Sequence, residues 1–402
     1  MQICICRIRV KEWIKISDLL FFQEGPGVRN TQYTQSGVKL LNVANLVNGK
    51  VDLSTSDRYI SEDEAYGRYK HFLCDDGDFI IASSGIKVEY FDRKMGFVDS
   101  SMLPLCMNTS TIRFKVIDSK RLNIKYFMYY LKSIHFKQQL SKFITGSAQL
   151  NFGPSHLKKM NMPLVSLKEQ NDIVEKLSKV ELLLDKYNGE IKLLDELIKA
   201  RFVEMFGDPN YNPKGYKKDI IKDHIDLLSG YPFKSENYVD SGINICGGLV
   251  IMPQKIKWEE CVHWKSAIGY ENYLLNNNDI VMALDRPWIS EGFKIAKVDS
   301  KHLPALLIQR TVRIRAIDMN QDYLYYCFIC GGFNKHCNVT GSLVPHISSK
   351  DIKSFEVMLP PLELQNQFAS FVEEIDKSRS RIQKSLEASQ ELFDSLMQEY
   401  FG

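Results

Sequence analysis

The stretch that decides the fold is Lys168–Pro209, with the sequence KEQNDIVEKLSKVELLLDKYNGEIKLLDELIKARFVEMFGDP. Apolar residues recur in it at alternating steps of four and three, at Ile173, Leu177, Val180, Leu184, Tyr187, Ile191, Leu194 and Ile198. This heptad spacing is typical of a helix that packs along a narrow apolar seam. No proline interrupts the stretch before Gly207, which suits a helix C-cap. The pattern predicts one helix over 168–206, about 58 Å long at about 1.5 Å per residue.

A second heptad pattern occupies the C-terminal segment 362–402. Arg379 and Ser389 interrupt its grid, and the apolar positions are Phe368, Val372, Ile375, Ile382, Leu386, Phe393, Leu396 and Tyr400. Two such seams in one chain are expected to pack on each other, because each helix alone would leave its apolar stripe in water. Since a long segment separates the two helices, we predict that they form an antiparallel coiled coil.

An internal repeat relates the segments that precede the two helices, and such a repeat dictates architecture. A shift of 195 residues places Gln170 on Gln365, and Thr145-Gly146-Ser147 on Thr340-Gly341-Ser342. Further upstream a shift of 200 or 201 places Asp78 on Asp279 and Arg113 on Arg313. The sequence therefore predicts a tandem duplication: a globular domain over 1–163, a helix over 164–207, a globular domain over 208–361 and a helix over 362–402.

The globular domains show strand patterns rather than long helices. Thr111–Val116 and Thr311–Ala316 alternate with a period of two, with apolar residues on one face and basic residues on the other. Residues 79–82 and 280–283 are typical of short buried strands, and the aromatic runs at 126–131 and 323–328 are typical of helices packed on a sheet. The predicted fold class is α+β, with two α/β-type domains in tandem, each followed by a long helix.

Composition and charge limit the classes of protein. The 402 residues are 44% hydrophobic, which excludes a disordered chain. No apolar run reaches the roughly 18 residues of a membrane-spanning helix, and nine scattered cysteines are expected to be free thiols in the cytoplasm. The net charge is +3, but 1–163 carries +8 and 208–361 carries +1, against −2 and −4 for the helical segments. Basic globular domains favour an anionic partner such as nucleic acid.

The motifs that carry catalysis are missing from the sequence. It contains no glycine-rich nucleotide fingerprint or phosphate-binding loop, no H-E-x-x-H and no G-x-S-x-G. The tripeptide Asp92-Arg93-Lys94, which follows Asp78, could belong to a metal-dependent nuclease, but similar tripeptides begin at Glu190 and Asp351 and mark it as background. We therefore expect no catalytic residue and no cofactor in this chain.

A group of cysteines invites the hypothesis of a zinc site. It contains Cys327, Cys330, His336 and Cys337. The first two cysteines lie in an aromatic, helix-like run, and the first domain has Tyr130 where Cys327 stands in the second. Buried structural thiols are therefore the better interpretation, and we predict no metal.

Three groups of residues are candidates for contact with nucleic acid. The first is basic: Lys87, Arg113, Lys115, Arg310 and Arg313. The second follows the repeated Thr-Gly-Ser, where hydroxyl groups and close backbone approach suit phosphate oxygens, although a structural turn is the alternative: Ser147, Gln149, Asn151, Ser342 and His346. The third is the loop pair Arg286 and Trp288, which could read bases or simply pack.

The junctions around the helices point to a family. They are MPLVSLKEQ over 162–170, LPPLELQ over 359–365 and RFVEMFGDP over 201–209. With the duplication and the heptads, they resemble the specificity subunit of type I restriction-modification enzymes across the whole chain. The second junction fits the family's Pro-Pro-Leu…Gln pattern, whereas the first has Val165-Ser166 in place of the proline pair.

The resemblance implies a non-catalytic recognition subunit. Each target-recognition domain would read one part of a split double-stranded DNA sequence, and the coiled coil would separate the two domains. Methylation would belong to modification subunits that use S-adenosylmethionine, and cleavage to a restriction subunit that uses ATP and magnesium. Since the two domains differ widely in sequence, the two half-sites should differ as well.

Two alternatives stay open at this point. The chain could be the specificity component of a combined restriction-methylation enzyme that lacks the ATP motor. It could also, from a different class, be a self-contained nuclease or methyltransferase.

Overall fold

The computed structural model of the chain describes residues 12–142, 151–337 and 346–402. The chain divides into two compact units: the first unit is Met1–Lys186 with Ser385–Gly402, and the second unit is Tyr187–Lys384. Each unit therefore contains one globular segment together with part of each long helix, and each long helix begins in one unit and ends in the other.

The first unit is a mixed helix and strand structure. Its elements in chain order are β1 (Glu12–Lys15), β2 (Leu20–Glu24), β3 (Val38–Leu41), β4 (Leu46–Val47), β5 (Lys50–Val51), β6 (Tyr59–Ile60), α1 (Glu62–Tyr66), β7 (Phe79–Ala82), β8 (Met95–Phe97), β9 (Leu105–Met107), β10 (Thr111–Val116), α2 (Ile124–Lys132), α3 (Ile134–Ser141), α4 (Pro154–Leu157), β11 (Asn161–Leu164) and α5 (Leu167–Phe206). The central antiparallel sheet has the order β2-β10-β7-β8, and a second sheet, β6-β3-β9, contains a parallel pair.

The second unit repeats this arrangement. Its elements are β12 (Lys218–Ile220), β13 (Ile225–Ser229), β14 (Ile243–Cys246), β15 (Ile251–Met252), β16 (Lys255–Ile256), β17 (Val262–Trp264), β18 (Ile280–Ala283), β19 (Trp288–Ile289), β20 (Gly292–Phe293), β21 (Ile295–Lys297), β22 (Ala305–Leu307), β23 (Thr311–Ala316), α6 (Gln321–Cys330), α7 (Phe333–His336), α8 (Ser349–Lys353), β24 (Glu356–Met358) and α9 (Leu362–Phe401). The central sheet has the order β13-β23-β18-β21, and β17-β14-β22 again includes a parallel pair. The duplication predicted from the sequence is therefore present in the strand order.

The two units differ in the segment that follows β7 and β18. In the second unit this segment forms the β19–β20 hairpin, whereas in the first unit Val88–Arg93 is a 3-10 helix. The difference lies beside the loops at one end of the central sheet, so the common framework carries different local structure there.

The middle strands of each central sheet are covered on both faces. All four residues of β7 and of β18 are buried, and so are the first four residues of β10 and β23. Apolar and basic residues alternate along β10 and β23 as predicted, but Arg113 and Arg313 are buried, because these strands lie in the middle of a sheet that is covered on both faces.

The long helices confirm the heptad prediction. Every predicted seam position of α5 and α9 is buried or half-buried, including the polar interruptions Arg379 and Ser389. In the first unit the start of α5 packs on the end of α9, where Lys176 Nζ lies 3.3 Å from the Tyr400 hydroxyl. In the second unit the end of α5 packs on the start of α9, where the rings of Phe202 and Phe368 are 5.5 Å apart. The two helices are therefore antiparallel.

An ion pair explains why arginine is tolerated on the second seam. Arg379 Nη2 donates to Asp195 Oδ1 on α5 at 2.5 Å, so the charge that interrupts the apolar grid meets a carboxylate on the partner helix.

Within the described part of the chain, no helix combines the length and apolar character that crossing a bilayer requires.

Candidate nucleic-acid interface

Three segments meet at one end of the central sheet of the first unit. They are the loop after β7, the turn before β10 and residues 151–153, which precede α4. Ser84 forms an antiparallel bridge with Asn151, and its hydroxyl donates to the hydroxyl of Ser110 at 2.6 Å. We call Ser84, Ser110 and Asn151 the first loop cluster. All three side chains are neutral and polar.

The second unit builds a cluster at the equivalent place from charged residues. Asp285 forms an antiparallel bridge with His346, as Ser84 does with Asn151. Its two carboxylate oxygens are divided between partners: Arg310 Nη1 donates to Oδ2 at 2.6 Å, and His346 Nδ1 lies 2.7 Å from Oδ1. We call Asp285, Arg310 and His346 the second loop cluster. The Arg310 and His346 side chains are 74% and 57% exposed, so the cluster faces solvent.

The charge state of the second loop cluster follows from these contacts. Burial alone would raise the pKa of the Asp285 carboxyl, but the hydrogen bonds and positive charges of Arg310 and His346 outweigh it. The pKa of Asp285 therefore lies below its ordinary value, and Asp285 is an anion that holds a guanidinium at physiological pH.

The backbone conformation is common to both clusters. Ser110 and Arg310 have φ values of +65° and +63°, in the left-handed region that non-glycine residues rarely adopt. The neighbouring loop also matches, with φ of +75° at Gly85 and +45° at Arg286. The fold thus requires an unusual turn at these points, and the second unit fills both turns with arginine.

A cavity of about 620 Å³ lies beside the second loop cluster. Arg286, Lys294 and Arg310 contribute positive charge to it, Glu260 and Asp285 contribute negative charge, and its apolar wall is formed by Ile245, Leu249, Val250, Val262 and Ile308. Lys294 is only 7% exposed, and its ammonium group donates to the carbonyl oxygen of Gly248. Burial and the nearby Arg286 lower the pKa of Lys294. The cavity is therefore a mixed polar and apolar cleft.

The first unit has a smaller and purely basic counterpart. Its cavity of about 400 Å³ is lined by Lys87, Arg93 and Lys94, which are its only charged residues among those described, together with Tyr90 and Gly85. The Arg93 guanidinium lies 4.9 Å from the centre of the Tyr90 ring. Lys94 matches Lys294, because the backbone carbonyl of each accepts from the alanine that ends β7 or β18. Cations beside an exposed aromatic ring suit a phosphate backbone and stacked bases.

Two of the predicted contact residues are core residues instead. Arg113 is buried and donates to Asp78 at 3.1 Å and to the carbonyl oxygen of Leu73 at 2.6 Å. Arg313 is buried too and is bonded to Asp226. The prediction that these arginines contact DNA is therefore not supported, because their strands lie in the middle of the sheet and internal acceptors hold their guanidinium groups.

Lys115 and Trp288 are only partly available. Lys115 is bonded to Asp75, and its ammonium group lies 3.4 Å from Asp78. The Trp288 ring stacks on Phe293, with the ring centres 4.9 Å apart and the planes 15° from parallel. Of the two interpretations of the Arg286–Trp288 pair, packing therefore applies to Trp288, while Arg286 is exposed and lines the cavity.

The remaining predicted residues divide between two cases. Lys87, Asn151, Arg310 and His346 are exposed at the cavities or loop clusters, as a role in binding requires. Ser147, Gln149 and Ser342 lie outside the described residues. The loop positions that the sequence singled out at 151 and 346 are thus brought to equivalent places in the two units.

Sequence reasoning missed several residues of these sites. Tyr90, Arg93, Lys94, Asp285 and Lys294 were not proposed as contacts, although Asp92-Arg93-Lys94 was noticed as a weak nuclease pattern. In the structure Asp92 pairs with Lys137 at 3.1 Å, and among the described residues no group of three His, Cys, Asp or Glu side chains could hold a metal ion. The repeat was the available signal, since a shift of 200 residues places Lys94 on Lys294.

The cysteine group of the second unit lies in a hydrophobic setting. Cys327 is buried among aromatic residues of the core, and burial raises the pKa of Cys330 and Cys337 to about 12. The interpretation as structural thiols agrees with this environment.

The chain contains two homologous α+β units, and each unit carries a polar cluster built from loops and a charged cleft. A pair of long antiparallel helices connects them. This arrangement defines a duplicated recognition protein. The chain belongs to the family of the type I restriction modification DNA specificity domain, whose model matches residues 11–194 and 217–390. The resemblance found from the helix junctions is thereby confirmed.

Individual relatives agree with this membership. The specificity subunit of the type I restriction enzyme MjaVIII from Methanocaldococcus jannaschii is 24% identical over 343 residues, which cover 79% of this chain and 78% of that protein. The specificity subunit of the type I restriction enzyme EcoAI from Escherichia coli is 30% identical over 179 residues, which cover 42% of this chain and 30% of that protein.

A solved structure shares the fold. The crystal structure of the type I restriction-modification S subunit from M. genitalium matches with a TM-score of 0.57 and 14% sequence identity, over 98% of this chain and 97% of that one.

Members of the family are the non-catalytic specificity subunits of restriction-modification complexes, so this chain is a recognition subunit and not an enzyme.

Proposed function

We propose that this chain reads an asymmetric two-part site in double-stranded DNA and directs methylation and cleavage by partner subunits. The observation that carries the proposal is the contrast between the loop clusters. The two units share their strand order and backbone turns, but one cluster is neutral (Ser84, Ser110, Asn151) and the other charged (Asp285, Arg310, His346). Equivalent frameworks that present different donors and acceptors suit two different half-sites.

Electrostatics supports DNA as the ligand. The cavity of the first unit is lined by three cations and an aromatic ring, and that of the second unit by three cations and two carboxylates. The first unit would bind DNA mainly through phosphate contacts, which are independent of the base sequence. The second unit, whose globular segment carries only +1, would make fewer of them.

The partner subunits are proposed from a different surface. Leu182, Leu193 and Leu197 lie on one face of α5 because they are spaced by 11 and 4 residues, and all three are exposed away from the seam. The helical segments are also acidic, so they repel DNA and favour protein contact. We infer that modification subunits dock on this apolar face of α5.

Cofactors belong to the partners in this proposal. S-adenosylmethionine would be held by the modification subunits, and ATP and magnesium by a restriction subunit acting on the same DNA in the cytoplasm. If the partner enzyme cleaves DNA without ATP, the chain serves instead the combined restriction-methylation enzyme that lacks the motor.

Mapping methylated bases across a host genome tests the proposal. Cells that express the modification subunits with this chain should methylate a split sequence, and cells that express the subunits alone should not. The pure chain should transfer no methyl group from labelled S-adenosylmethionine. Identical methylation maps with and without the chain would contradict the proposal.

A further inference from the structure

The hydrogen bonds of the second loop cluster fix the positions of its side chains. Asp285 uses one carboxylate oxygen for Arg310 and the other for His346, so a single anion fixes two donors that come from loops 25 and 61 residues away in sequence. Arg310 uses only Nη1 for its hydrogen bond to Asp285, and 74% of its side chain remains exposed to solvent. The guanidinium is thus oriented on one side and open on the other.

The backbone conformation at residue 310 does not explain why this residue is an arginine. Ser110 adopts the same left-handed conformation at the equivalent point of the first unit, with φ of +65° against +63°. Glycine meets that conformation best, and a long side chain gains nothing from it. An unfavourable backbone position filled by a charged, exposed residue is typical of a functional site.

Charge balance separates a base contact from a phosphate contact. Asp285 offsets the charge of Arg310, so Arg310 attracts a phosphate less strongly than an unpaired arginine would. Directed hydrogen bonding is not lost in the same way, because the planar fork of the guanidinium keeps its geometry. Guanine offers two acceptors in the major groove, N7 and O6, and a bidentate arginine is their commonest partner.

We propose that Arg310, held by Asp285 and flanked by His346, reads a guanine in the half-site of the second unit. Asp285 is a positioning residue in this arrangement, and Arg310 is the residue that contacts the base. The first loop cluster has no charged member, so it reads its own half-site without this contact. This inference rests on the proposed function, because it names the base chemistry of one half-site.

The experiment uses the full chain assembled with its modification subunits and a plasmid library with randomised target positions. Sequencing of the methylated fraction gives the base preference at each position of both half-sites. The main variant is Arg310→Gly, because glycine suits a φ of +63° and the variant is expected to fold. Arg310→Lys keeps the charge but removes the fork, and Ser110→Ala is the matched control in the first unit.

The expected result is specific to one position. Arg310→Gly should reduce the preference for one guanine by roughly tenfold or more and leave the other half-site unchanged. Arg310→Lys should lose most of that preference, Asp285→Asn should lose part of it, and Ser110→Ala should leave the guanine position unaltered.

Other outcomes would overturn the inference. Equal weakening of all sites by Arg310→Gly, with every base preference kept, would make Arg310 a phosphate contact. Unchanged methylation would place the cluster away from DNA. These results differ from failure of the proposed function, in which the unmodified chain itself confers no sequence preference on the modification subunits.

Discussion

The buried side chain of Gln365, in the first turn of α9, accepts a hydrogen bond from the backbone N–H of Asn320 at 2.9 Å. Gln170, in the first turn of α5, accepts the same bond from Asn123 at 2.8 Å. In each unit the amide thus ties the start of a long helix to the residue that caps the short helix α6 or α2. The Gln170–Gln365 match found in the sequence is a repeated structural clamp.

Removing this clamp should destabilise the second unit. Gln365→Leu leaves the N–H of Asn320 and the carbonyl oxygen of Pro360 without their buried partner. A buried polar group left unpaired costs about 1–3 kcal/mol, so the free energy of unfolding should fall by about that amount. Chemical denaturation followed by circular dichroism measures it. The control is Gln367→Leu, two residues along on the exposed face of α9, where a change within about 0.5 kcal/mol is expected. Equal stabilities of the two variants would contradict the role of the clamp.

Lys87 in the basic cavity of the first unit should act through phosphate. Lys87→Ala removes one cation from a cavity that also holds Arg93 and Lys94. Binding should weaken on every DNA sequence, and the slope of log affinity against log salt should fall by about 0.9 for one lost phosphate contact. Fluorescence anisotropy over a salt series provides both numbers. Lys179→Ala, which removes an exposed lysine paired with Glu175 on α5, should leave the slope as it was. A change confined to one DNA sequence would make Lys87 a base-reading residue.

The exposed face of α5 should decide assembly rather than DNA recognition. Leu193 is 64% exposed, so Leu193→Lys should leave the fold intact while placing a charge in the proposed docking surface. Co-purification with the modification subunit should drop sharply, and the anisotropy signal for DNA binding by the chain alone should stay the same. Charge reversal at Glu190, Glu196 or Glu374 should weaken assembly in the same direction.

A matched control distinguishes the docking face from exposure in general. Ile268→Lys changes a similarly exposed apolar residue in a loop of the second unit. Assembly should be normal with this variant. Undiminished co-purification by Leu193→Lys would show that the modification subunits dock elsewhere.

The length of the helical segment should set the gap between the half-sites. Insertion of four helix-forming residues after Ile191 adds about 6 Å of rise and about 40° of rotation. The heptad seam then carries a stutter rather than a break, since four residues are close to one turn. We expect methylation of sites whose gap is longer by about one or two base pairs, at about 3.4 Å per base pair, with both half-site sequences unchanged. Methylation restricted to the original gap, by a variant that still folds, would show that the helices do not set it.

Much of the architecture was predictable from local patterns. The heptads predicted both long helices, and their seam positions, from Ile173 to Tyr400, are buried or half-buried in the structure. The repeat predicted equivalent units, and the junctions around Gln170 and Gln365 identified the family. These features repeat within one helix turn or recur at a fixed shift, so each can be recognised without knowing which distant segments touch.

The placement of the functional side chains was decided by tertiary structure. Arg113 lies within β10 and Arg310 immediately precedes the equivalent strand β23. The first arginine is buried on Asp78 and the second is exposed on Asp285. Asp285 and His346 are 61 residues apart and were proposed neither as a pair nor as a match for Ser84 and Asn151. By itself the sequence determined the helices, the duplication and the family, because periodicity and repetition are properties of the chain. Only the folded structure decided which charges face solvent, because that depends on how the sheet is covered and where its loops meet.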